Sequence, residues 1–168
     1  MFQIGDTVVC GNNGVCRIEK IGPLANMGKS SAKRDYYTLQ PYFDNGGKIY
    51  LPVDTDKVVM RYVLSKEEVN ALVSDFDNIE QISISDEKLR ETEYKNAVNS
   101  SDPRKLIRII KTMYSRKKAR IESGKKSTAI DEKYFRIAET RLSEELALSL
   151  EINREDVKEN IRKHLESI

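Results

Sequence analysis

Residues 58–73 read VVMRYVLSKEEVNALV, and the spacing of the hydrophobic residues changes within this stretch. Up to Leu64, β-branched and aromatic residues occur in short runs that are typical of strands. After it, Ser65 and Glu68 form a capping-box pattern, and the hydrophobic residues that follow are three or four positions apart. The stretch therefore predicts a boundary between a β-rich domain and a helical domain.

The β-rich domain is predicted over residues 1–64. Turn residues that tolerate positive φ, such as Asn13-Gly14 and Gly46-Gly47, separate its strands. Six segments have the composition of strands: residues 2–4, 7–10, 15–21, 36–39, 48–51 and 58–60. Because a small, partly open β-barrel removes most exposed strand edges, we expect that architecture, with a loop over residues 22–34.

The helical domain is predicted over residues 65–168 as an all-α bundle of about five helices. Polar residues that favour helix N-caps precede each hydrophobic repeat, and Pro103 follows one of them at the first helical position. The predicted caps are Ser65, Ser85, Asp102, Ser127 or Thr128, and Asn153.

Positive charge is concentrated in one segment of the helical domain. Residues 104–126 contain ten Lys and Arg against one Glu, whereas the whole chain has a net charge of only +2. On a helical wheel the hydrophobic residues of this segment gather on one side. The opposite side carries Arg104, Arg108, Lys111 and Lys118.

A cationic helix face of this kind attracts phosphates, because each neutralised phosphate releases condensed counterions. The sequence therefore favours nucleic acid as a partner. It contains no motif that reads bases, which predicts weak contacts to the backbone or the minor groove. The alternative is a hydrated helix face that only keeps the surface soluble.

Catalytic and metal sites are not expected. The chain has one histidine, His164, in a charged C-terminal stretch, and two cysteines, Cys10 and Cys16, which favour buried strand positions over a redox pair. No zinc-ligand set, nucleophile–base pair or glycine-rich phosphate loop is present in the sequence. We expect a non-enzymatic protein without cofactor or small-molecule substrate. The absence of a secretion signal and of a long apolar run predicts a cytoplasmic protein that binds no membrane.

Several motifs resemble the CarD/CdnL family of bacterial transcription regulators. In the first half they are residues 2–9, Gly14-Val15, residues 36–39 and residues 49–52. In the second half, Ser100-Ser101-Asp102, Lys117-Lys118 and residues 142–148 resemble the helical domain of that family. The resemblance spans nearly the whole chain and implies a small SH3/Tudor-like β-barrel followed by a helical domain.

The same resemblance implies how such a protein acts. The barrel would bind the β subunit of RNA polymerase through the strand that holds Ile49, Tyr50 and Leu51. The helical domain would contact promoter DNA and stabilise the open complex. By matching position and by the helical wheel, the expected DNA-contacting residues are Lys88, Arg90, Arg104, Lys105, Arg108, Lys111 and Lys118.

The chain departs from the family at two positions. Tyr50 stands where many members carry a basic residue on the polymerase-facing strand. The second position lies just before the second-domain helix. Many members carry a tryptophan that wedges into the opened minor groove. This chain has no tryptophan, and Asp86-Glu87 lies at the matching place.

Two other functions fit the residues. The first is a KOW-like RNA-binding or elongation factor, since Gly5-Asp6-Thr7-Val8-Val9 suits such barrels. The second is a protein-interaction adaptor that does not bind DNA.

Overall fold

A computed structural model describes residues 1–25, 28 and 33–168 of the chain. The chain divides into two compact units, Met1–Val63 and Leu64–Ile168, and each is described by itself. The predicted loop over residues 22–34 lies in part outside the described residues.

The N-terminal unit contains a five-stranded antiparallel sheet in the order β4-β3-β2-β1-β5. Its strands are β1 (Thr7–Cys10), β2 (Val15–Gly22), β3 (Tyr36–Pro41), β4 (Ile49–Pro52) and β5 (Met60–Tyr62). An N-terminal β unit ahead of helices is confirmed. Closure of the sheet into a barrel stays a prediction.

Alternating residues of four strands form the core of this sheet. The fully or nearly buried members are Val8, Cys10, Cys16, Ile18, Tyr37, Leu39 and Leu51. Both cysteines are therefore core thiols, and neither is in a disulfide. Burial raises the pKa of the Cys10 thiol, and a hydrogen bond from the Asn13 side chain lowers it to a smaller extent.

Residues 2–4 were expected to form a strand, and that prediction is wrong. Gln3 and Asp6 bond each other instead: the Gln3 amide donates to Asp6 Oδ2 over 2.7 Å, and the Asp6 amide donates to the Gln3 carbonyl over 3.1 Å. Gly5, at φ +96°, completes this turn. The predicted strand over residues 58–60 is also displaced, because β5 begins only at Met60.

Five α-helices follow in the C-terminal unit. They are α1 (Lys66–Ser74), α2 (Glu87–Asn99), α3 (Pro103–Glu122), α4 (Ala129–Leu150) and α5 (Arg154–Ser167). A short 3₁₀ turn, Phe76–Asn78, follows α1. Within the described residues, no helix combines the length and the apolar character that crossing a membrane requires.

The helix N-caps agree with prediction in four of five helices. Ser65 forms the capping box with Glu68, and Asp102, Thr128 and Asn153 each accept a hydrogen bond from a backbone amide of the first turn. The exception is α2, where Asp86 and not Ser85 is the N-cap. Asp86 accepts from the Lys88 amide over 2.9 Å, so the helix begins one residue later than predicted.

The middle of α3 lies at the centre of the helical unit. Leu106, Ile107, Ile109, Ile110 and Met113 are at most 3% exposed. Two buried carboxylates of α4 are neutralised within this unit: Asp131 pairs with Arg116 at 3.0 Å, and Glu139 accepts two hydrogen bonds from Arg162. These pairs connect α4 to α3 and to α5.

Candidate functional site

β4 is an end strand of the sheet, and it carries the three residues expected to bind a partner. In the described part of the chain it pairs only with β3, where Leu39, Thr38 and Tyr37 lie opposite Ile49, Tyr50 and Leu51. An end strand presents one row of backbone donors and acceptors to its surroundings. The outer row of β4 is therefore available to a further strand.

The hydrogen-bonding phase shows which residue of β4 supplies that row. The Val53 amide donates to the Asp35 carbonyl over 3.0 Å, so these opposed residues form a hydrogen-bonded pair. Because bonded and non-bonded pairs alternate in antiparallel ladders, Leu51 and Ile49 also bond to β3. Tyr50 consequently directs its backbone N–H and C=O away from β3, towards the open edge.

The side chains of the three predicted residues differ in position. Leu51 is 8% exposed and belongs to the core, and Ile49 packs against the same cluster. Only the Tyr50 ring, 41% exposed, faces outwards. A partner would meet the backbone of this strand and the Tyr50 ring, whereas Ile49 and Leu51 hold the strand in place.

One member of the predicted cationic face of α3, Lys111, is covered by the segment that follows α1. Lys111 is buried, and its Nζ donates to the carbonyl oxygens of Phe76 and Asp77 at 3.0 and 3.1 Å. The ammonium also lies 5.4 Å from the centre of the Phe76 ring, which favours a cation–π interaction. A placement of Lys111 on a solvent-facing, DNA-contacting surface does not fit this geometry.

Arg104 and Arg108 contact the same segment after α1. Arg104 forms an ion pair with Asp75, and Arg108 Nε donates to the Glu80 carbonyl over 3.2 Å. The Asn78 side-chain amide, and next the Arg104 guanidinium, hold the pKa of the Asp75 carboxyl below its usual range. Residues 75–82 thus contact Arg104, Arg108 and Lys111 on that side of α3, and of these three only Lys111 is buried.

Three of the four remaining predicted DNA contacts are exposed. Lys88, Lys105 and Lys118 are exposed, and no ion pair involves them within the described residues. Arg90 is paired with Glu87, and its side chain is only 14% exposed. Lys118 lies beside the equally exposed Lys117 at the rim of a cleft of about 660 Å³ between α3, α4 and α5.

The titratable side chains in the described ranges form no metal-binding cluster. No cluster of three or more His, Cys, Asp or Glu there could hold a metal ion. His164, expected on a hydrated face, has a partner: its Nε2 lies 2.7 Å from Asp77 Oδ1, and its ring packs edge-on against Phe76. The histidine therefore connects α5 to the 3₁₀ turn.

Comparison with known proteins bears on the N-terminal unit. Residues 2–63 match the model of the CarD-like/TRCF RID domain. No curated protein matches the chain. The resemblance to CarD-like proteins is thereby confirmed for these residues. The N-terminal unit belongs to the CarD-like/TRCF RID family, which is a family of non-catalytic domains that interact with RNA polymerase in transcription.

Proposed function

We propose that this protein is a transcription regulator that binds the β subunit of RNA polymerase by adding its β4 edge to a strand of that subunit. The observation that carries the proposal is the outward direction of the Tyr50 backbone groups on an end strand of a polymerase-interacting domain. Strand addition obtains affinity from main-chain hydrogen bonds and specificity from the side chains beside them. The half-exposed Tyr50 ring is positioned to supply such a side-chain contact.

In this proposal the helical unit contacts promoter DNA and thereby changes the stability of the open complex. The exposed lysines Lys88, Lys105, Lys117 and Lys118 would meet phosphates. Arg104 and Arg90 would contribute less, because each already has a carboxylate partner. A DNA contact tethered to polymerase benefits from a high effective concentration, so a few phosphates suffice. The protein would act in the bacterial cytoplasm, where polymerase and promoters meet.

One observation favours a second candidate function. The Lys111 ammonium is buried and donates to two carbonyl oxygens of the same unit, which removes one of the expected phosphate contacts. Arg108 keeps its Nη groups, but its Nε already donates to the Glu80 carbonyl. A polymerase-binding adaptor that does not touch DNA would need no exposed cationic face. The two functions differ in how strongly they depend on the remaining lysines.

The polymerase contact is tested by Tyr50→Pro, with Tyr50→Ala as its matched control. Proline removes an N–H that points away from β3, so the sheet keeps its own ladder. We expect β-subunit affinity to fall about tenfold, which corresponds to one net hydrogen bond. Tyr50→Ala keeps the N–H and should therefore lose less affinity for the β subunit than Tyr50→Pro. Equal affinity of Tyr50→Pro and the wild type, measured by pull-down or calorimetry, would contradict strand addition.

The DNA contact is tested by the double variant Lys117→Glu, Lys118→Glu. Its control is Lys66→Glu, Lys95→Glu, which reverses the charge of two other exposed lysines of the helical unit. We expect the slope of log affinity for promoter DNA against log salt to become shallower by about two for the first pair only. The lifetime of the open complex should also change for the Lys117→Glu, Lys118→Glu variant and not for the control. If the affinity of the wild type for promoter DNA does not change with salt concentration, the adaptor function is favoured.

A further inference from the structure

The sheet has a second end strand, β5, and we propose that Arg61 closes that edge, so that strand addition occurs only at β4. The inference rests on the proposed function, since it concerns which edge of the domain a partner strand can use. It assigns Arg61 as the residue that sets this preference.

The hydrogen-bonding phase of β5 places two residues at its outer edge. The Gly11 amide donates to the Val59 carbonyl over 2.9 Å, and Val9 lies opposite Arg61 in the same register. Because bonded pairs alternate, Val59 and Arg61 bond to β1. Met60 and Tyr62 consequently direct their backbone groups away from the sheet.

The outward carbonyl of Tyr62 already has a donor. Arg61 Nη1 donates to that oxygen over 3.0 Å. The Tyr62 side chain is also fixed, because its hydroxyl lies 3.1 Å from Asp6 Oδ2 and its ring packs edge-on against Phe2 at 5.0 Å. A strand that approached β5 would have to displace the guanidinium before it could donate to this oxygen.

The two ends of the sheet therefore differ. Among the described residues, no side chain donates to the Tyr50 carbonyl at the β4 edge, whereas a charged donor occupies the corresponding acceptor at the β5 edge. Short end strands and charged side chains are the usual protection against unwanted strand pairing. β5 has both features. It spans only Met60–Tyr62, and Arg61 is its charged side chain.

The occupant that Arg61 excludes is the β4 edge of a second copy of this chain. Pairing of β4 on one copy with β5 on the next uses two different surfaces, so it joins copies head to tail into a ring or an open filament. Loss of the guanidinium exposes the Tyr62 carbonyl to such pairing.

The experiment is sedimentation velocity of the full chain over a wide concentration range. We expect the wild type and an Arg17→Ala control, which removes an exposed arginine from the interior strand β2, to sediment as monomers. Arg61→Ala should self-associate, with an average mass that at least doubles as concentration rises. Adding Tyr50→Pro to Arg61→Ala should restore the monomer, because it removes the N–H that β4 contributes.

A second measurement keeps the test informative if the double variant folds poorly. Amide hydrogen exchange of Arg61→Ala should slow at Tyr50 and Met60 as concentration rises. A monomeric Arg61→Ala, a self-associating wild type, or association that leaves these two amides unprotected would each overturn the inference. At concentrations low enough that Arg61→Ala is monomeric, it should bind the polymerase β subunit as tightly as the wild type, because its β4 edge is then unoccupied. Failure of the proposed function can be told apart from failure of this inference, because only the former leaves polymerase binding by Tyr50→Pro unchanged.

Discussion

The ammonium group of Lys111 donates a hydrogen bond to the carbonyl oxygen of Phe76 over 3.0 Å, in the interior of the helical unit. The same ammonium donates a second hydrogen bond to the carbonyl oxygen of Asp77, the next residue of the 3₁₀ turn. A residue that the helical wheel places on a cationic surface therefore holds the 3₁₀ turn against α3.

Replacing Lys111 by methionine should destabilise the helical unit. Methionine keeps the hydrocarbon stem but leaves the carbonyl oxygens of Phe76 and Asp77 without this donor, which should cost about 2–3 kcal/mol. The exposed Lys118→Met is the control and should stay within about 0.5 kcal/mol of the wild type. Urea unfolding measures both. Equal midpoints for the two variants would show that the Lys111 bonds do not stabilise the fold.

The Asp75 carboxylate should make stability depend on acidity. Its pKa is lowered in the folded protein by the Asn78 amide and by Arg104, so its contribution is fully present above the unfolded pKa, about 4. That contribution is lost as the pH falls through the lower, folded pKa. Asp75→Asn should therefore destabilise the protein at neutral pH, and the difference from the wild type should shrink in acid. Denaturant titrations at neutral pH and near pH 3 measure it; a difference that grows in acid contradicts the assignment.

The two cysteines should be unreactive in the folded protein. Both side chains are fully buried, and burial raises the pKa of the Cys10 thiol, which lowers its thiolate fraction. We expect slow modification by a thiol reagent at neutral pH and rapid modification of both in denaturant. Fast labelling of the folded protein would mean that this core opens easily.

The helix starts were predictable from the sequence because an N-cap is a local interaction. Asp102 and Thr128 bond amides within the next three residues, so the residue types decide the outcome. The error at Ser85 has the same origin, since Asp86 offers an equally good oxygen one residue later. The change of hydrophobic spacing at Leu64 likewise marks the division into a β unit and a helical unit.

The burial of Lys111 was not predictable from α3 considered alone. A wheel separates apolar from charged residues, but it does not show that residues 75–82 bond Arg104, Arg108 and Lys111 and bury the last of them. The long lysine stem can bury its carbons while its ammonium bonds carbonyls, which a hydropathy pattern does not distinguish from exposure. Asp75 was the available signal, because it places a carboxylate beside Arg104 of that helix.

The candidate edge was predictable only in part. The sequence identifies a strand at residues 48–51, but its end position depends on pairings between distant segments. The direction of the Tyr50 backbone groups depends on the phase fixed by the Val53–Asp35 bond. Neither property is encoded in the composition of the strand.

The most direct test of the central claim is amide hydrogen exchange at Tyr50 with and without the polymerase β subunit. The account predicts exchange of the Tyr50 amide at the rate of an exposed end strand in the unbound protein and strong protection when the β subunit is added. The amides of Leu51 and Ile49, which already bond to β3, should change much less. Unchanged exchange at Tyr50 in a saturated complex would contradict the claim that polymerase adds a strand to β4.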